Sequence, residues 1–180
     1  QMDGVLNSVS QMLGNVTKLL DNLNTAVNDI TKLTISNPHI TELPESLSEL
    51  SKLCELEISS CDRLTLIGDI IEQLPSLFSF TVWNCPSLLK LSDKISNLKK
   101  LQFLRIRTCH AIEFLPESIS DLDNLLSLTI CDCSKLQEIP NDLGDSSLRE
   151  LFLSGCPNVK FLPTSIMKSD YLRLVLAHNK

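Results

Sequence analysis

The sequence predicts an α/β repeat solenoid: a curved rod with a concave parallel β-sheet, convex 3₁₀ or short helical turns and an N-terminal capping helix. Three observations predict it. A unit of 23 or 24 residues recurs along most of the chain. Each unit holds a short alternating apolar stretch followed by apolar residues stepped by three. And 43% of the 180 residues are hydrophobic while only 4% are aromatic, so the core is one of Leu and Ile in many similar packing units rather than one large aromatic centre.

Residues 1–30 stand outside the repeat. Val5, Val9, Met12, Val16, Leu19, Leu23, Val27 and Ile30 recur every three or four residues. That is the stripe of an amphipathic helix, or of two helices broken near Gly14-Asn15. A solenoid needs its end units covered, so the expected role is a cap folded onto the first strand. The rival is a coiled-coil segment for dimerisation. Gly4, Gly14 and the scarcity of flanking charges weigh against the rival.

Residues 31–180 hold about six units and a partial last one, written L-x-x-L-x-I-x-x-C-x-x-L-x-x-L-P-x-x-I-x-x-L. The strand slot is filled by Leu33, Leu56, Phe80, Leu104, Leu128 and Leu151, at intervals of 23, 24, 24, 24 and 23 residues. Two residues on stand Ile35, Ile58, Val82, Ile106, Ile130 and Leu153. This alternation is a short strand with its apolar side chains inward. Ile95, Leu98 and Leu101 show the three-residue step of a 3₁₀ or short α turn on the opposite side. Between them come Leu43-Pro44, Leu115-Pro116, Ile139-Pro140 and Leu162-Pro163, where proline suits the first position of a helical turn. The second and third units lack it, at Leu66-Ile67 and Leu91-Ser92, and the fifth is one residue short near Gly144, which predicts an irregular turn. No unit buries its own apolar face, so the units stack into one core and one parallel sheet. At about 4.8 Å per strand, six units run roughly 30 Å. The partial copy, around Leu174 to Asn179, leaves nothing apolar after Leu176 to cover its edge. An uncovered edge invites another chain, so this strand is expected to pack on a second molecule, or the natural chain to continue past Lys180.

Charge and composition exclude several function classes. A net charge of -6 argues against general affinity for nucleic acid or anionic membranes. No run of about 18 apolar residues could span a membrane. No basic segment leads into an apolar run, so no signal peptide is read here, although the first residue is Gln and leaves room for a removed upstream segment. The triplet Asn15-Val16-Thr17 matches a glycosylation sequon, a pattern common enough by chance to carry little weight.

Seven cysteines leave at least one thiol free and disfavour a secreted disulfide scaffold. Cys61, Cys85, Cys109, Cys133 and Cys156 occupy one slot in successive units. In-register stacking sets their Cα atoms about 5 Å apart, but with side chains pointing the same way, so the reading is a ladder of buried thiols. A metal site from Cys131, Cys133 and His110 is the sharper alternative; C-x-C alone is weak and no second pair stands at zinc spacing. His39, His110 and His178 belong to no H-E-x-x-H, and neither G-x-S-x-G nor a glycine-rich phosphate loop occurs. No cofactor, metal or catalytic residue is expected. Glu45, Glu49, Glu117 and Asp121 read as a solvated convex face.

The unit L-x-I-x-x-C-x-x-L-x-x-L-P-x-S-I-x-x-L-x-x-L, best seen from Leu104 to Leu128 and from Leu151 to Ile166, resembles the leucine-rich-repeat region of plant intracellular nucleotide-binding immune receptors. The resemblance covers about residues 33 to 176. The G-x-x-x-x-G-K-[ST] phosphate-binding loop that such receptors carry upstream is absent from this sequence, which reads either as a fragment or as a stand-alone repeat protein. The resemblance implies recognition of a ligand or partner, intramolecular restraint in receptors, and a cytoplasmic setting, or delivery into a host cell were the chain an effector.

The strand residues that alternate with the core should line the concave face. Most are small and polar. Trp83, Phe103, Arg105, Arg107 and Phe152 are not, and the chain's one Trp sits there beside two Arg. Large aromatics and Arg dominate binding hot spots, whereas the plainer reading is a set of surface stacking contacts. The candidate partner-binding residues are therefore Trp83, Phe103, Arg105, Arg107 and Phe152, with Glu57 and Cys131. Cys131 is expected to be the one cysteine facing solvent from the sheet, its thiol made more acidic by Arg107. The expected function is non-catalytic recognition of another protein. The alternatives are a self-associating scaffold, joined by the last strand or the N-terminal helix, and a small-ligand or phosphate site using Arg105 and Arg107 with Lys99 and Lys100.

Overall fold

The repeat dictates the architecture. A computed structural model describes residues 2–177, so His178 and the Asn179 end of the partial last unit lie outside the described residues. Helix α1 (Met2–Asn28) comes first. The strands follow as β1 (Lys32–Ile35), β2 (Glu55–Ser59), β3 (Leu66–Ile67), β4 (Ser79–Trp83), β5 (Lys90–Leu91), β6 (Phe103–Arg107), β7 (Ser127–Cys131), β8 (Glu150–Ser154) and β9 (Arg173–Ala177), with a one-turn helix α2 (Thr164–Lys168) before the last.

Seven strands pair in parallel in the order β1-β2-β4-β6-β7-β8-β9. The register aligns the strand leucines: Leu33 with Leu56, then Phe80, Leu104, Leu128, Leu151 and Leu174. Each unit contributes one strand and then crosses behind the sheet, so each apolar row lies on the next and forms one continuous core. Phe80, Leu104, Ile106, Leu128 and Ile130 are wholly inaccessible.

Behind the sheet, 3₁₀ turns span Glu45–Glu49, Asp69–Gln73, Ile95–Asn97, Glu117–Asp121 and Leu143–Asp145. Pro44, Pro116 and Pro163 stand immediately before a turn, with extended backbone. Pro140 lies further ahead of the short fifth turn, which Asp142 precedes. In the second unit the slot equivalent to Leu-Pro is Ile67-Gly68, one residue later than the spacing of Leu66-Ile67 implies. The two units without proline do more than bend: β3 and β5 pair, Leu66 with Lys90 and Ile67 with Leu91, in a small second sheet. Proline in this slot would remove a backbone donor, and Gly68 and Ser92 do not.

Helix α1 is one unbroken helix of 27 residues, so the break near Gly14-Asn15 is not found. Val27, in its last turn, and Ile30, just beyond it, pack against the hydrophobic core. From Met2 to Leu20 the apolar stripe is exposed. At the other end, Leu176 is also exposed while Leu172 and Leu174 are partly covered. Among the described residues no helix is long and apolar enough to cross a membrane.

Candidate protein-binding face

Alternation along each strand sends every second side chain out of the core, and the register arranges these in three columns. The first runs Lys32, Glu55, Ser79, Phe103, Ser127, Glu150, Arg173. Its two ends are tiled by exposed ion pairs, Lys32 Nζ to Glu55 at 3.0 Å and Arg173 to Glu150 at 3.3 Å. The middle column runs Thr34, Glu57, Thr81, Arg105, Thr129, Phe152, Val175, and the third Ser59, Trp83, Arg107, Cys131, Ser154, Ala177.

Trp83 and Arg107 are direct register neighbours on β4 and β6, about 4.8 Å apart along the backbone. Trp83 is 47% exposed and Arg107 is exposed as well. Arg105, two residues before Arg107, is half-buried and held on both sides. Its Cζ lies 5.3 Å from the Phe103 ring centroid, and its Nη1 donates to Ser79 Oγ at 3.2 Å. Phe103 is braced in turn by Phe78, edge to face, with centroids 5.2 Å apart. Phe103 therefore anchors Arg105 more than it presents a free ring. Among the described residues the one ring on this face with a cation over it is Phe103. Glu57 and Phe152 are half-buried, each separated from Arg105 by one intervening strand residue, Thr81 and Thr129.

Cys131 corrects the expectation. It lies in the outward column, yet it is only 6% exposed. Outward direction is not exposure when a small side chain stands beside a long one. Arg107 stands beside it in direct register, and Ser59, beside Trp83 in the same column, is covered too, at 5% exposed. Burial pushes the Cys131 thiol up, and the Arg107 charge only partly offsets it. Cys131 is thus part of the floor under Arg107 and not a reactive thiol.

The cysteine ladder lies below the rim of this face. Cys61, Cys85, Cys109 and Cys133 are wholly buried, Cys156 is half-buried, and all seven cysteines are free. Each ladder S–H donates to the carbonyl two residues back: Cys85 to Trp83 at 3.6 Å, Cys109 to Arg107 at 3.4 Å, Cys133 to Cys131 at 3.5 Å, Cys156 to Ser154 at 3.3 Å. The same carbonyls receive backbone N–H groups from the preceding unit: Asn84 donates to Arg107 at 3.0 Å, Thr108 to Cys131 at 2.8 Å, Asp132 to Ser154 at 2.9 Å. Both lone pairs of a strand-end carbonyl are used, and this pins the backbone that carries Trp83 and Arg107. Desolvation raises the Cys85 thiol to about 12 and Cys109 to about 11. Cys133 is also raised, by its hydrogen bond with Cys156 and by burial. His110 shares a hydrogen bond with Ser134, Nδ1 to Oγ at 3.2 Å. Among the described residues no group of three His, Cys, Asp or Glu could hold a metal ion.

Two features of this face escape the repeat pattern. Phe78, one residue ahead of β4, braces Phe103; an aromatic just outside the strand slot was the available signal. Ser60, Asn84, Thr108, Asp132 and Gly155 all have positive φ, from 52° to 62°. Asn, Asp and Gly immediately before a ladder cysteine signal that turn, and there the chain leaves the sheet.

No protein-family model matches the chain, and no curated protein matches its sequence. Solved structures are similar in shape. A leucine-rich-repeat protein of Leptospira interrogans matches with a TM-score of 0.66 and 23% identity, over 87% of this chain and 39% of its own. The fold is a leucine-rich-repeat solenoid. Human trophoblast glycoprotein matches with a TM-score of 0.51 and 16% identity, over 83% of this chain and 70% of its own. This solenoid therefore spans well under half of the Leptospira protein. At such identities the likeness is one of fold alone.

Proposed function

We propose that the solenoid is a non-catalytic recognition module that binds another protein through its concave face, centred on Trp83, Arg105 and Arg107. One observation carries the reading: between the covered Ser59 and Cys131, the chain's one Trp, 47% exposed, stands beside an exposed Arg in direct register. Trp and Arg are the side chains that dominate hot spots, and here the backbone beneath them is held by the cysteine ladder. A rigid face loses little entropy on binding. Two guanidinium groups and an indole suit a partner surface of carboxylates around an apolar side chain. Glu57 and Phe152 flank this centre at one strand's remove, and Phe103 acts through Arg105.

The repeat unit's resemblance to plant intracellular immune receptors supports an immune or host–pathogen setting. Cys61, Cys85, Cys109 and Cys133 are buried and donate to backbone carbonyls, and the absence of a crosslink among the seven thiols supports a reducing, intracellular compartment. The phosphate reading has less behind it, because Lys99 faces Asp123 at 3.7 Å and the chain as a whole is acidic, with a net charge of -6.

The test is paired, on an isolated binding partner. Trp83→Ala and Arg107→Ala each weaken affinity by about 2 kcal/mol or more and shift unfolding by no more than about 0.5 kcal/mol. Glu117→Ala and Asp121→Ala, on the convex side, leave affinity unchanged. If the convex changes abolish binding while the concave ones do not, the binding face lies elsewhere.

A further inference from the structure

Helix α1 carries an apolar face that nothing covers among the described residues. Met2, Val9 and Val16 fall seven residues apart, as do Val5, Met12 and Leu19, and as do Leu6, Leu13 and Leu20. All nine are exposed, from 44% at Val9 to 79% at Met2. Two physical points argue for a partner on this face. The helix is intrinsically weak, with Gly4, Gly14, three Asn in its first 22 residues and several Val, a composition that holds a helix in water only when tertiary packing supports it. The repeat is also strictly seven. A straight helix drifts by about 20° per heptad against such a repeat, so a stripe that keeps heptad spacing over three heptads suits another helix coiled about it better than a flat core.

We propose that this helix pairs with the same helix of a second copy, as a two-stranded coiled coil. Val9 and Val16 occupy the first seam position and Met12 and Leu19 the second, with Met2 and Val5 in the reverse order at the helix start; a β-branched residue first and Leu second favours two strands. The positions beside the seam, where charge selects partners, hold Leu6, Leu13 and Leu20 on one side and Ser8, Asn15 and Asn22 on the other. All are neutral, so nothing there repels an identical chain or calls for a complementary one. The helix's charges, Asp3, Lys18 and Asp21, all fall on outer positions. So do Gly4 and Gly14, the glycines that count against a coiled coil in the bare sequence, and a methyl built on either meets nothing within 4 Å. The area is adequate too. Side chains worth about 1.5–3 kcal/mol at about 25 cal/mol per Å² hide about 60–120 Å² each. Nine of them come to about 500–1,000 Å², around the roughly 800 Å² per partner of a stable interface.

Sedimentation equilibrium of the full chain across the micromolar range tests this, with unfolding followed by Trp83 fluorescence to verify the solenoid. The wild type should reach twice the 20.1 kDa chain mass. The double variant Val9→Glu/Leu19→Glu should sediment as a single chain with its solenoid transition unchanged. The double variant Val9→Ala/Leu19→Ala should dissociate at higher concentration than the wild type. Gly14→Glu adds a charge off the seam and should still pair. A wild type that stays at 20.1 kDa or reaches three or more chain masses, or a Val9→Glu/Leu19→Glu chain that still pairs, overturns the proposal.

Discussion

Leu19 and Leu128 carry the same side chain at equally regular positions, yet 61% of the first is exposed and none of the second. Leu128 belongs to a strand whose neighbours, Leu104 and Leu151, are supplied one unit before and one unit after it. Leu19 belongs to a stripe that repeats just as regularly but is copied nowhere else in the chain. Periodicity says which residues share a face. Whether the chain also carries the cover for that face is a separate question, and a repeat answers it by carrying the cover in its next copy.

The largest effect that can break this comparison is a pair of truncations. Leu104→Ala removes a wholly buried side chain from the centre of the stack and should destabilise the solenoid by about 2–5 kcal/mol, through lost burial and the cavity left behind. Leu13→Ala removes an equal volume from an exposed side chain and should move the solenoid transition by no more than about 0.5 kcal/mol. Urea unfolding read through Trp83 fluorescence measures both. A Leu13→Ala cost approaching that of Leu104→Ala would mean that the helix is folded into the core after all.

Two glycines sharpen the contrast. Gly144 sits in the short fifth turn, where an added methyl would collide with the backbone of Ser165 and Ile166, and its N–H donates to Ser165 Oγ at 3.1 Å. Gly144→Ala should cost about 1–3 kcal/mol, as overpacking does. Gly14 has open space around it, so Gly14→Ala should add about 0.5–1 kcal/mol to the helix, visible as higher far-UV helicity. The two substitutions are chemically identical and should have opposite signs.

Most of the solenoid was legible because its information is redundant. Six copies of one unit place each strand leucine, and one misjudged position, such as Leu66-Ile67 for Ile67-Gly68, leaves the register intact. The outward columns followed from alternation alone. What alternation could not supply was the size of a neighbour. Cys131 and Ser59 point out and are buried because Arg107 and Trp83 stand beside them. The pairing of β3 with β5 depends on an absent proline in two adjacent units, a signal that matters only once those units are stacked. The bracing of Phe103 by Phe78 joins one residue in a strand to another just outside it, and no single-strand pattern contains such a pair.

The smallest effect separates the two regions by pH. All seven cysteines lie in the solenoid and none in α1. Cys85 and Cys109 hold their protons to about 12 and about 11 in the folded chain, against 9.0 for an ordinary thiol. The unfolded chain releases these protons first, so rising pH favours unfolding. The stability that the buried thiols contribute is therefore complete below about pH 9 and is lost as pH climbs through 11 and 12. The melting temperature of the solenoid should be unaffected by these groups at neutral pH and fall in the alkaline window. The informative quantity is a difference between variants. Cys85→Ala should show a shallower alkaline fall than the wild type. If Cys85→Ala and the wild type lose stability in parallel between pH 9 and 12, the Cys85 proton is not held by the fold, and the ladder stabilises the strand ends through packing alone.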